Sequence, residues 1–495
     1  MDDNELTEPP ERPSLDPEDW PAFRARAHRM LDAALDHAQG ASQGPVWTAV
    51  PAAVKAALAS PVPMEAEGTD RACADLLAQV LPYGTGNTHP RFFGWVHGAG
   101  APGGIIAEAM AAAMNSNLGG RDHGANYVEH QVIDWVKKLF GFPDSASGLV
   151  VSGTSMATII ALSAARYAKA GYDVRRDGIR SDRARLVGYA SSEAHSCIAR
   201  AFDMLGLGMD ALRKVPVDSH FRMNMAALKA AIAEDLAAGL QPFVVIGSPA
   251  TVNTGAIDDL DAIADICHAN DLWFHVDGAF GAVAALSEKL KARFRGIERA
   301  DSLALDFHKW MHVPYDAGFV LVRSEDAHRN AFSLRPEYLT AQPRGLAAGN
   351  PWFCEYGPEL SRGFRALKVW FHIKEHGIRR IAEKVEDNCR QAAYLGDLVS
   401  RHPDLELAVP VSLNICCFRF VAPDLPGPAL DRLNADIVMD LQEGGIAAPS
   451  TTKIAGQLMI RVNITNHRTR LADMDILVDE VVRLGRVYGG WIVTR

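Results

Sequence analysis

From residue 148 onward, short apolar runs alternate with longer stretches of helical period, and no other feature restricts the fold as much. "GLVVSGTS" precedes "MATIIALSAARYAKAG", "ARLVGYAS" precedes "EAHSCIARAFDML", and "PFVVIGSPAT" precedes "DDLDAIADICHAND". The repeating unit is βα. Its strand runs are continuously apolar rather than alternating, which predicts strands covered on both faces in a mostly parallel sheet flanked by helices. After "AGFVLVR" the pattern changes: a loop segment, "SLRPEYLTAQPRGLAAGNPW", leads into an amphipathic stretch that begins "SRGFRALKVWF", and short strands such as "NICCFRF" and "LMIRVNIT" follow. The expected organisation is an N-terminal lead-in with a helical segment over residues 1–110, a large α/β domain over 111–364, and a smaller α+β domain over 365–495.

In a doubly wound sheet the ligand site lies at the carboxyl ends of the strands, so functional residues are sought where the apolar runs stop. "DSLALDFHKW" stops on His308, Lys309 and Trp310, and "LWFHVDGAFGA" stops on Asp277. A third run enters "SGTSMAT", where the free N–H groups and dipole of a starting helix, with the hydroxyls of Thr154 and Ser155, would hold a phosphate. Taken singly each is ambiguous: the hydroxyls make an ordinary N-cap, the lysine a snorkelling strand end, the aspartate a helix cap. No G-x-x-x-x-G-K-[ST] or G-x-G-x-x-G accompanies them, which disfavours ATP and NAD. Together, a phosphate cradle, a strand-end carboxylate and a strand-end amine are the handles of pyridoxal 5'-phosphate. The carboxylate pairs with the pyridine nitrogen, and the amine holds the aldehyde as a Schiff base. His195, at the end of "YASSEAHS", is placed to lie against the ring's other face, with a core-satisfied histidine as the alternative.

Composition narrows the partners. A net charge of -10 on 495 residues, without a Lys/Arg-rich block, makes nucleic acid an unsuitable partner and small molecules the expected ones. Seven scattered cysteines without a C-x-x-C spacing fit reduced thiols in a cytoplasm. The start, "MDDNELTEPPERPSLDPEDW", is acidic and proline-rich where a signal peptide needs a basic end and an apolar core. The most apolar tract, "GGIIAEAMAAAM", is too short to span a bilayer and carries Glu108, so no membrane span is expected.

The motifs "HPRFFGW", "SGTSMAT", "SSEAHSC", "HVDGAFGA", "DFHKW" and "FRALKVWF" stand in the order and at the spacing of a known family. Over roughly residues 85–470 the chain resembles the group II pyridoxal-phosphate-dependent amino-acid decarboxylases, closest to the aromatic-L-amino-acid decarboxylase branch. The resemblance implies a fold type I (aspartate aminotransferase-like) enzyme that releases carbon dioxide from an amino acid. It implies that Lys309 carries the cofactor, Asp277 binds the pyridine nitrogen, His195 stacks on the ring and Ala279 lies beneath it. Thr154, Ser155, Thr251 and His308 then belong to cofactor binding. It also implies a homodimer with a shared active site, the N-terminal segment packing on the partner, and a loop, "SLRPEYLTAQPRG", whose Tyr338 returns a proton to the substrate's Cα.

Departures bear on the substrate. Val252 replaces a second threonine after Thr251, and Asp306 stands where this branch often has asparagine; its charge near a phosphate is unfavourable unless it is turned away, protonated or paired. In "NSNLGGRDHGANYVEHQ", Asn117 and Gly119 occupy positions that supply bulky apolar residues in aromatic decarboxylases. Arg121 in the same stretch would grip a substrate carboxylate or phenolic oxygen, or form a structural ion pair with Asp122 or Glu129. Trp95 and Trp310 still offer aromatic surface. An aromatic L-amino acid is therefore the expected substrate and an acidic one the runner-up. An aldehyde synthase, a carbon–carbon lyase and a non-catalytic cofactor-binding protein remain as other readings.

Overall fold

The continuously apolar runs become the strands of a seven-stranded sheet. The computed structural model describes residues 14–334 and 341–493. In chain order the strands are β1 (Phe92–Phe93), β2 (Ser147–Val151), β3 (Leu186–Ser191), β4 (Leu212–Val215), β5 (Gln241–Gly247), β6 (Trp273–Asp277), β7 (Ser302–Asp306), β8 (Gly318–Val322), β9 (Leu405–Leu407), β10 (Ile415–Phe420), β11 (Ala448–Ile454) and β12 (Gln457–Asn463). The large sheet runs β2-β8-β7-β6-β5-β3-β4. From β7 to β4 every pairing is parallel, and β8 is antiparallel to both β7 and β2.

Every residue of β2, β3, β6, β7 and β8 is buried, as two-sided coverage requires. The Thr154–Lys169 helix packs across β5, β6, β7 and β8. Its buried face is built largely of small residues, Ala157, Ala161, Ala164 and Ala165 among them, which let helix and sheet approach closely. Polar groups inside the sheet are paired: the Ser302 hydroxyl meets both the Trp273 indole N–H at 2.8 Å and His275 Nδ1 at 2.9 Å.

A second sheet, β1-β11-β12-β10-β9, is antiparallel except where β1 joins β11 in parallel. Its core gathers Phe93, Cys416, Phe418, Ile437, Leu441 and Ile460. The pairing of Phe92–Phe93 with Ala448 and Pro449 brings a segment far upstream into the C-terminal sheet. Both sheets belong to one compact unit, residues 42–48 and 85 onward. The other unit, within residues 14–41 and 49–84, holds the helices Trp20–Gln39, Ala52–Ala57 and Thr69–Asp75, none of which has a buried residue. No helix among the described residues is long and apolar enough to cross a membrane.

Candidate active site

Strands β6 and β7 lie side by side in parallel register, Asp277 opposite Ala304, so both deliver their carboxyl ends to one edge. Beyond Asp306 the chain turns tightly, the N–H groups of Phe307 and His308 both donating to the Ala317 carbonyl. The turn throws Lys309 back toward the strand it left, and its Nζ lies 2.9 Å from Asp306 Oδ2. Burial alone would lower the Lys309 ammonium, but the Asp306 carboxylate beside it and Asp277 beyond outweigh that and raise it. Gly98 permits the close approach of a neighbouring segment: a Cβ there would sit 2.1 Å from the His308 carbonyl oxygen and 2.4 Å from that of Lys309.

Asp277 is 5% exposed. Burial raises its carboxyl, while the charges of His195 and Lys309 pull it back down. Its Oδ1 accepts from the Ala279 N–H at 3.3 Å, and the Cys197 thiol lies 3.9 Å from Oδ2. His195 Nδ1 accepts the Cys197 N–H at 3.2 Å. Asp277, His195, Ala279 and Lys309 all line one cavity of about 350 Å³, with Thr251 and Val252 on the same wall and Ser450 and Arg461 from the second sheet opposite.

The Thr154–Lys169 helix begins directly after β2, and its first N–H, that of Thr154, donates to Asp306 Oδ1 at 2.7 Å. The Thr154 hydroxyl is buried and has no hydrogen-bond partner among the described residues. Gly318 lets β8 pass close to this helix start, since a Cβ on it would lie 2.3 Å from Gly153 Cα. Asp306 is thus paired on both oxygens, with Lys309 on one side and the helix start on the other. His308 packs behind it: Nδ1 accepts the Ala317 N–H at 3.0 Å, the ring lies 4.3 Å from Tyr315, and burial lowers its pKa. Thr154, Ser155 and His308 do not line the cavity itself, and Thr154 and His308 reach Lys309 through Asp306.

The other expected substrate residues separate. Trp95 lines the cavity, half exposed, with φ 49° and its N–H 3.3 Å from the Ser450 hydroxyl. Trp310 is fully buried, its indole N–H donating to Asn388 Oδ1 at 3.0 Å, outside the cavity lining. Asn117 clips a loop, Oδ1 accepting from the N–H groups of Gly119 and Arg362 at 2.9 Å each. The Arg121 guanidinium lies 4.4 Å over the Trp352 ring, and the two carboxylates considered as its partners bind elsewhere. Asp122 accepts from Tyr127 at 2.6 Å, and Glu129 pairs with Arg362 at 2.5 Å. The Thr251 hydroxyl turns into its own loop, 3.1 Å from that of Thr254. Tyr338 lies outside the described residues.

Among the cavity residues that escaped the reading of the sequence, two are basic. His97 lies with its ring 5.6 Å from Phe92 and 5.7 Å from Trp95, and burial together with the Lys309 charge lowers its pKa. Arg461 is buried, and burial pushes its pKa down to about 10. Its Nε and Nη2 donate to the Val252 carbonyl at 2.9 and 2.5 Å and its Nη1 to the Trp95 carbonyl at 2.8 Å, clamping two cavity loops to β12. A lone arginine inside the apolar run "LMIRVNIT" was the available signal.

A buried carboxylate facing a lysine amine across a cavity, beside a helix start with an unpartnered threonine hydroxyl, fits pyridoxal phosphate. The profile described as the pyridoxal-dependent decarboxylase conserved domain matches residues 51–421. The aromatic-L-amino-acid decarboxylase of Bacillus atrophaeus is 34% identical, the match covering 91% of this chain and 93% of that protein. Phenylacetaldehyde synthase of Arabidopsis thaliana is 27% identical over 91% and 93% of the two chains. The solved structure of Oryza sativa TDC with PLP and tryptamine superposes with a TM-score of 0.87 at 23% identity, covering 96% of this chain and 100% of that one. The fold is therefore that of the fold type I enzymes, and the cofactor is pyridoxal phosphate. The chain belongs to the pyridoxal-dependent decarboxylase family, whose members are carboxy-lyases acting on amino acids.

Proposed function

We propose that the protein converts an aromatic L-amino acid to its amine and carbon dioxide. The observation that carries the substrate class is the wall formed by Trp95 and His97, with ring centroids 5.7 Å apart and the buried Phe92 ring behind both, at a cavity where Arg461 is already engaged by three hydrogen bonds to backbone carbonyls. Such a wall suits a flat apolar side chain. The one guanidinium among the described lining residues has its donors directed at carbonyls rather than into the cavity, which disfavours an acidic side chain.

In this reading Lys309 would hold the cofactor covalently, Asp277 would keep a proton on its pyridine nitrogen, and His195 and Ala279 would flank its ring. Thr154 and Ser155 would hold its phosphate with His308 near them, and Thr251 would contribute from the cavity wall. Bound pyridoxal phosphate supplies an electron sink for the pair left when the Cα–carboxylate bond breaks. The residues' part is to orient that bond, exclude water and return a proton to Cα, the last assigned to Tyr338. Sharing of the site in a homodimer is supported by the N-terminal helices, which bury no residue within one chain. Seven free thiols support a cytoplasmic location.

The test is to incubate the reconstituted enzyme with tryptophan, tyrosine, DOPA, glutamate and aspartate, assaying carbon dioxide, amine and aldehyde separately. An aromatic amine equal to the carbon dioxide released is the expected result. Preference for glutamate or aspartate overturns the substrate class. Aldehyde in place of amine overturns the reaction type.

A further inference from the structure

A second cavity, of about 250 Å³, adjoins the Lys309 turn and shares no lining residue with the first. It is lined by His312, whose N–H donates to the Lys309 carbonyl at 3.1 Å and whose carbonyl accepts from Ala101 at 2.7 Å. His312 is 3% exposed, and neither ring nitrogen has a hydrogen-bond partner among the described residues. The same holds for Nδ1 of His467, whose ring meets that of His312 edge-on with centroids 5.0 Å apart, and for Nε2 of His372. Buried imidazole nitrogens without partners are costly, and four in one place call for a ligand.

The rest of the lining says which kind. Arg380 and Lys384 stand on the helix that restarts after Gly377, where φ is 69° and the long Arg365–Arg401 element breaks. A helix start adds the positive end of its dipole to those two cations. Opposing charge is limited and placed to the side: Glu375 lies 3.4 Å from His376, and Asp387 lies 3.7 Å from Lys384. No group of three or more His, Cys, Asp or Glu among the described residues is arranged to hold a metal ion. The donors come from three separate elements, so they surround a small ligand rather than pave a surface.

We propose that this cavity binds a small oxyanion, with the His312, His372 and His467 rings as donors and Arg380 and Lys384 as counter-charges. Phosphate and carboxylate share that chemistry. The site stands independently of the substrate assigned above.

Calorimetric titration of the holoenzyme, its cofactor in place, with inorganic phosphate and separately with succinate tests this at neutral pH and low salt. Saturable binding at one site per chain is expected for at least one of them, and which one binds identifies the oxyanion. Arg380→Ala/Lys384→Ala, outside the buried core, should weaken it at least tenfold with an unchanged circular dichroism spectrum. His312→Leu should do the same while keeping the cofactor's visible band. Absence of saturable binding by both anions, or binding that persists undiminished in both variants, overturns the proposal.

Discussion

Asp306 joins Lys309 to the start of the Thr154–Lys169 helix, one carboxylate oxygen 2.9 Å from the amine and the other 2.7 Å from the Thr154 N–H. A charge that reads as a liability beside a phosphate is thus balanced by an ammonium and a helix dipole before any ligand arrives. The same contact keeps Lys309 protonated, whereas covalent capture of an aldehyde needs the free amine.

Asp306→Asn should therefore lower the pH at which the apoenzyme captures pyridoxal phosphate, because the largest influence raising Lys309 is removed while burial, which lowers it, remains. Near neutral pH the visible band should develop about tenfold faster, the change expected for each unit by which the amine's pKa falls. A capture rate with the same pH midpoint in wild type and variant would show that Asp306 does not control the lysine.

Glu129 and Arg362 form an ion pair 1% exposed on each side, and both also bind β2, through the Val150 N–H at 3.0 Å and the Val150 carbonyl at 2.6 Å. Removing one partner leaves a buried charge uncompensated. Arg362→Met should cost about 3–5 kcal/mol in urea unfolding, and Glu129→Gln/Arg362→Met should recover part of that loss. Additive losses in the double variant would mean the pair is not coupled.

What the sequence revealed and what it hid divide along physical lines. The sheet was legible because two-sided burial forces unbroken apolar runs, and Asp277 and Lys309 were legible because they interrupt those runs at their ends. The partners of Arg121 were not. A guanidinium can stack on an aromatic ring as readily as pair with a carboxylate, and Trp352, the ring it meets, is more than two hundred residues away in the chain. The role of Arg461 was hidden for a related reason, since its partners are backbone carbonyls, which every residue has.

Burial lowers His275 to about 3 and His328 and His372 to about 4, so these rings are neutral when folded. Their unfolded value is near 6.5, so the unfolded chain takes up protons first as the pH falls. Stability is whole above about pH 6.5 and is lost toward pH 4, at up to about 1.4 kcal/mol per pH unit for each ring. Asp258, raised to about 6 by burial, acts in the opposite sense, as do the raised Asp277 and Asp301, but the lowered histidines outnumber them, with His89 at about 4, His467 at about 3 and the lowered His312 adding to the three. The urea midpoint should fall steeply between pH 6.5 and 5. A flat midpoint over that range would contradict the assignment of neutral buried rings, and His328→Gln should reduce the slope if it holds.

Tyr338 is the group assigned to return a proton to Cα, and its removal separates loss of carbon dioxide from completion of the amine. Tyr338→Phe keeps the ring and deletes only the acidic hydroxyl, so binding should change little while amine production falls about 10²-fold, the scale of one general acid. Molecular oxygen can then compete for the unprotonated carbon, so consumption of oxygen and release of aldehyde should rise as amine falls. Oxygen-electrode traces beside amine assays distinguish the outcomes. Unchanged amine with no oxygen uptake would move the acid role to another group, and His195, whose Nδ1 is held by the Cys197 N–H and whose ring lines the cavity, is the next to substitute.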